Sequence, residues 1–111
     1  PAVDVYYEED PPRAVVEAEL AGGDPDEIGL EIEGRDLVIA GNRNPADAEG
    51  RVYQQIEIDF GPFRRVVSLG ADVDADRARA TYRDGILRVE LPLLQPEPRS
   101  RRLPIEVQED A

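Results

Sequence analysis

The sequence predicts an all-β fold, an antiparallel β-sandwich, and three observations carry the prediction. Apolar residues recur with period two in separate short runs. Turn-forming residues fall between those runs, and no stretch carries a comparable helical period. A chain of 111 residues with 41% hydrophobic content is sized for one domain with a real core.

Val16, Ala18 and Leu20 alternate with Val15, Glu17 and Glu19, which reads as a half-buried strand. Gly22-Gly23-Asp24-Pro25 breaks the chain before a second run, Ile28, Leu30 and Ile32 against Gly29, Glu31 and Glu33. A turn at Gly34-Arg35-Asp36 follows. Leu37 to Ala40 is continuously apolar and predicts a strand covered on both sides. Asn42 to Gly50, with Asn44-Pro45 in it, reads as an exposed loop. Val52 to Ile58 sets Ile56 and Ile58 among Gln54, Gln55 and Glu57. Spacing alone leaves it either a strand of the sandwich or an arm reaching a second subunit. Ala78, Ala80 and Tyr82 alternate with Arg79, Thr81 and Arg83, and Leu87, Val89 and Leu91 with Arg88 and Glu90. Between these runs Asp84-Gly85 marks a tight hairpin, because a primed turn needs positive φ.

The C-terminal segment has a different character. Leu93 to Arg102 contains Pro96 and Pro98 with Arg99, Arg101 and Arg102, and predicts an extended or mobile linker. Leu103-Pro104-Ile105-Glu106-Val107 beyond it is a short apolar island before an acidic end. An apolar island on such a tether is expected to dock on a surface.

Composition removes most function classes. With 25 acids against 13 bases the net charge is −12, the wrong sign for a nucleic-acid or anionic-membrane surface. No run approaches the ~20 apolar residues of a membrane helix, and no signal-peptide pattern opens the chain. Cysteine and histidine are both absent, which removes disulfides, thiolate sites and the commonest general base and metal ligand. Ser68 and Ser100 are the only serines, and neither lies in a nucleophile motif. No catalytic, metal or cofactor site is therefore expected, and the chain is read as a non-enzyme. The lack of cysteine fits a reducing cytoplasm. Every base is arginine, and the absence of methionine leads us to expect an initiator residue ahead of Pro1.

The acidic clusters read as structural. Asp72-Val73-Asp74-Ala75-Asp76 opens like a calcium loop, but Arg77 and Arg83 stand where that loop needs glycine and glutamate. Turn and cap carboxylates are the expectation there, and again for Asp24, Asp26 and Glu27. Arg64 and Arg65 beside Phe63 are expected to meet carboxylates, within the domain or across a subunit interface.

Several of these segments together resemble a known family. Ala80-Thr81-Tyr82-Arg83-Asp84-Gly85-Ile86-Leu87 resembles the A-x-x-x-n-G-v-L signature of small heat-shock proteins, the α-crystallin domain, with Ala80, Gly85 and Leu87 on its fixed positions. Ile105-Glu106-Val107 resembles the family's C-terminal I-x-I/V motif. Glu19 to Gly22 with Asp24 to Ile28 looks like the opening pair of strands, and Gly61 to Arg65 with Leu69 like the segment after the dimerisation loop. Ala21 and Gly70 depart from the family by replacing prolines. The resemblance runs from about Val3 to Val107.

What it implies is an immunoglobulin-like sandwich at residues 1–92, with a strand-bearing dimerisation loop, and a C-terminal extension at 93–111. The implied activity is that of an ATP-independent holdase, which captures partly unfolded proteins before they aggregate. Ile105 and Val107 would be the oligomerisation motif, seated in a groove lined by Ile28, Leu30, Ile32, Ala78, Ala80 and Tyr82. In bacterial and plant-type members the Val52 to Ile58 strand exchanges between subunits, which points to Val52, Tyr53, Gln55, Ile56 and Arg65 at the dimer interface. The implied partners are further copies of the chain and unfolding clients, in the cytoplasm. The competing reading is a non-catalytic co-chaperone or adaptor sandwich that binds a folded protein, and the Ile105-Glu106-Val107 island is what separates the two.

Overall fold

A computed structural model describes residues 1–43, 49–94 and 103–108. Seven strands run in chain order: β1 (Val3–Glu8), β2 (Arg13–Glu19), β3 (Gly29–Glu33), β4 (Asp36–Arg43), β5 (Gly61–Ser68), β6 (Arg79–Arg83) and β7 (Ile86–Pro92). All pairings are antiparallel. One sheet has the order β1-β2-β7-β6 and the other β3-β4-β5. Helical structure among the described residues is limited to two single 3-10 turns, Pro25–Glu27 and Ala75–Arg77.

The all-β sandwich expected from the alternation is the observed architecture. Ala14, Val16 and Ala18 of β2 and Leu87, Val89 and Leu91 of β7 meet Leu37 and Ile39 of β4 and Val67 of β5 in one buried cluster. Cross-strand partners share a face, so the register aligns these residues toward the second sheet. The hairpin expected at Asp84-Gly85 is present, with φ of 54° and 80° at the two positions, as a primed two-residue turn requires.

Three local features differ from the alternation. Val15 lies on the outer face of β2 yet is fully buried, because its cross-strand neighbours Tyr6 and Glu90 belong to a polar cluster that roofs it. β1 has no counterpart in the sequence reading. It is an edge strand with Asp4, Tyr6 and Glu8 on one face and Val3, Val5 and Tyr7 on the other. Asn42 and Arg43 belong to β4 rather than to the loop, since they pair with Pro62 and Gly61. Residues 44–48 of that loop, and most of the expected linker (95–102), lie outside the described residues. Leu93 and Leu94 remain tied to the sandwich, through a bridge to Val73 and a 3.1 Å hydrogen bond from Leu94 N to Asp72 O.

Two contacts set how the sheets overlie. Arg65 Nη1 donates to Pro1 O at 3.5 Å and Gly70 N donates to the Tyr7 hydroxyl at 2.9 Å, bringing the β5 edge over the β1 edge. The other two edges, β3 and β6, therefore share the opposite side of the sandwich.

Candidate functional site

That opposite side holds the six groove candidates. Leu30 and Ile32 pair with Ile39 and Leu37, so they face inward from β3, and Ile28 precedes them on the same period. Ala80 and Tyr82 pair with Val89 and Leu87, so they face inward from β6, with Ala78 just before them. Five of the six are half-buried against the core, and Ala80 is exposed although it faces inward. The inner faces of these edge strands thus stay partly open as apolar surface where the groove is expected, and the small side chains of Ala78 and Ala80 leave room there. Tyr82 fixes one end, because its hydroxyl donates to Leu20 O at 2.9 Å.

The two lips of the groove differ in charge. The outer positions of β3 are Gly29, Glu31 and Glu33, and no base occurs from Asp24 to Gly34. The outer positions of β6 are Arg79, Thr81 and Arg83, with Arg77 just before the strand.

Two segments contrast with the groove by offering apolar side chains rather than space for them. Residues 51–60 are exposed throughout and form no strand in this chain, so the Val52 to Ile58 segment is not a strand of its own sandwich. Contacts around it include Arg51 Nη1 to the Tyr53 hydroxyl at 3.4 Å and Gln55 Nε2 to Glu57 Oε2 at 2.7 Å. Val52 is 97% exposed and Ile56 69%. The second segment, residues 103–108, has no regular structure, and Ile105 and Val107 are 89% and 85% exposed. In neither segment do the described residues cover these side chains.

The base of the first segment adjoins a cavity of about 460 Å³, lined by Leu20, Arg43, Ile58, Phe60 and Phe63 among others. Arg43 Nε is shielded there from solvent with no hydrogen-bond partner among the described residues. Arg65 is exposed on β5. It and Arg64 have no carboxylate partner among the described residues, so of the two settings expected for their partners, within the domain or across a subunit interface, the first is not seen there.

The acids do structural work. Asp24 and Asp74 cap the two 3-10 turns, accepting from Asp26 N and Asp76 N at 3.0 and 3.1 Å. Asp72 accepts from Arg35 Nε at 2.9 Å, and that hydrogen bond holds its carboxyl below the usual value. A larger network, which single-sequence reasoning missed, covers the outer face of β1, β2 and β7. Arg88 contacts Glu8, Glu17 and Glu90 at 3.0 to 3.2 Å and the Tyr6 hydroxyl at 2.9 Å. The hydrogen bond to Glu90 leads the causes that raise the Arg88 pKa, and the one to Glu17 leads those that raise that of Tyr6. No group of acids among the described residues is arranged to hold a metal ion. Nor is any described helix long and apolar enough to cross a membrane.

A sandwich with an open edge groove and two uncovered apolar segments matches a family model described as the Hsp20/alpha crystallin family, over residues 6–108. The chain belongs to the small heat-shock proteins. That is a family of chaperones rather than enzymes. The 18 kDa antigen 1 of Mycobacterium avium is 36% identical over 81 residues, covering 73% of this chain and 54% of the antigen. Heat shock protein 16 of Schizosaccharomyces pombe is 28% identical over 110 residues, 96% of this chain and 75% of the relative. The solved structure of heat shock protein 16.0 from that yeast superimposes with a TM-score of 0.78 at 27% identity, covering 96% and 97% of the two chains. A small heat-shock protein from Xylella fastidiosa, described as having a distinct high order structure, gives 0.69 at 27% identity over 96% and 97%. The chain thus spans from about half to three-quarters of the length of these sequence relatives.

Proposed function

We propose that this small heat-shock protein is an ATP-independent holdase that assembles through its own uncovered segments. The observation that carries the reading is the pairing of half-buried apolar positions on two edge strands with an apolar motif that the described residues leave exposed. On docking as an extended segment, Ile105 and Val107, two residues apart, would project to one side, and the groove offers inward-facing positions at the same spacing. The docking partner is the groove of another copy.

Residues 52–58 are the exchanged strand of the dimer. Their apolar side chains gain cover, and their backbone gains a ladder, by adding to an open edge of a partner sandwich. Val52, Tyr53, Gln55, Ile56 and Arg65 form that interface. In this reading the sandwich is residues 1–92 and the extension 93–111, and the protein works in the cytoplasm on partly unfolded clients. Such clients expose the apolar surface and strand edges that drive aggregation. A holdase lowers the free concentration of that species by mass action, and a net charge of −12 keeps the complex in solution.

The test is light scattering from a heated model client without ATP, with this protein or an equally acidic control. Suppression well beyond the control is the expected result. Scattering equal to the control overturns the holdase reading for this chain.

A further inference from the structure

The groove has two edges on which an extended segment can add as a strand, and their outer faces carry opposite charge. We propose that the Ile105-Glu106-Val107 motif of a neighbouring copy adds along β6 rather than β3, and that Glu106 makes the choice by pairing with Arg79 and Arg83. The proposal rests on the reading of that motif as the occupant of the groove, and adds to it an edge, a charge pair and a specificity residue.

Alternation supplies the geometry. Neighbouring strands in a sheet place facing residues on the same side. With Ile105 and Val107 on the inner face, beside Ala78, Ala80 and Tyr82, Glu106 falls on the outer face. That is the face from which Arg79, Thr81 and Arg83 project. Directly opposite residues have Cβ atoms about 5 Å apart and diagonal ones about 7 Å, within reach of a glutamate and an arginine. Seated opposite Thr81, Glu106 has Arg79 and Arg83 on its two diagonals.

Along β3 the same segment meets the reverse situation. Its anchors would face Leu30 and Ile32, and Glu106 would lie on the outer face with Glu31 and Glu33, where like charges repel. Glu106 is the one charged residue from Leu103 to Gln108, so no other side chain of the described tail offsets that repulsion. The arginines are also available. Arg79 makes no ion pair among the described residues, and Arg83 pairs only with its neighbour Asp84 at 3.5 Å, both side chains being about 90% exposed. In a chain of net charge −12, two arginines on one strand face without a carboxylate from another strand suit an acidic partner.

The experiment compares the assembly of full-chain variants by sedimentation velocity at low and high salt. Glu106→Arg is expected to weaken assembly beyond the dimer about three- to tenfold at low salt, with the difference fading at high salt. Arg79→Glu with Arg83→Glu is expected to weaken it comparably, and the triple variant to recover most of the loss. Ile105→Ser with Val107→Ser serves as the control for the underlying reading. If that control shrinks the assembly but Glu106→Arg leaves it unchanged, or the triple variant fails to recover, the charge pairing is overturned and the groove reading stands. If the control leaves the assembly intact, the groove reading falls and the edge choice falls with it.

Discussion

Ile39 and Ile56 carry the same side chain into opposite surroundings. Ile39 sits mid-strand in β4, fully buried between the two sheets, while Ile56 lies in a segment without a ladder and is 69% exposed. The first is covered by its own chain, so its energy belongs to folding. The second is left uncovered, so it adds little to the folding of the single chain. The same contrast separates Leu91 from Ile105, and together the two pairs divide the molecule into a body whose apolar side chains are covered and segments whose apolar side chains are not.

The largest expected effect breaks that division on its folding side. Ile39→Ala removes a fully enclosed side chain and should cost about 2–5 kcal/mol of stability. Ile56→Ala should change the stability of the monomer by less than about 0.5 kcal/mol. Denaturant unfolding of both variants, at concentrations where the protein is monomeric, checks the comparison. Equal losses would place Ile56 in the folding core and end the distinction.

The next effect tests the hairpin that joins the groove strand β6 to the core strand β7. Gly85 has φ of 80°, and a Cβ there would lie 2.9 Å from the Ala21 Cβ. Gly85→Ala should therefore cost about 1–3 kcal/mol, from the left-handed backbone and the clash together. Gly50 has a similar φ of 81° but open space around it, so Gly50→Ala should cost only the backbone part. Thermal unfolding of the two variants separates conformational strain from close approach.

How much of this could be read from the sequence follows the same line. Strands with one face on the core, such as β3 and β7, announce themselves through alternation, and Asp84-Gly85 announces its turn. β1 was silent because an edge strand needs little apolar character, and its outer face is polar for a reason found elsewhere in the chain. That reason is the Arg88 network, which unites residues up to 82 positions apart and exists only once β1, β2 and β7 are in register. The groove was legible only as a resemblance. Alternation names the inward side of Leu30 or Ala80, but whether that side is filled or open depends on how two sheet edges overlie.

Within the body, the network and the exposed ion pair provide a finer comparison. Arg88 is one-third exposed and meets three carboxylates and a phenol, so Arg88→Gln should cost about 1 kcal/mol and also uncover Val15. Tyr6 adds a pH signature. Its pKa is raised from 10.0, chiefly by the hydrogen bond to Glu17, so the folded state holds that proton more tightly than the unfolded chain. The resulting stabilisation is complete below pH 10 and is lost as pH rises through the folded value. Tyr6→Phe should flatten this alkaline decline in urea midpoints measured from pH 8 to 11. A slope identical to the parent would show that another group titrates there.

Arg35 and Asp72 mark the lower end of the scale. Their 2.9 Å pair lies in the open, with both side chains nearly 60% exposed, and it links the β3–β4 turn to the turn after β5. The hydrogen bond from Arg35 lowers the Asp72 pKa from 3.8, so the folded state releases that proton more readily than the unfolded chain. The pair therefore stabilises above pH 3.8, and its contribution disappears as pH falls through the lowered value. Solvent and salt screen most of it at neutral pH. Arg35→Gln should leave the neutral unfolding midpoint almost unchanged in 0.15 M salt, and differ from the parent only at low ionic strength. That low-salt difference should close as pH falls through the lowered value, once Asp72 is protonated in both states. A difference that persists in acid would assign the role of Arg35 to its backbone turn, where Arg35 O accepts from Leu69 N at 2.8 Å, rather than to its charge.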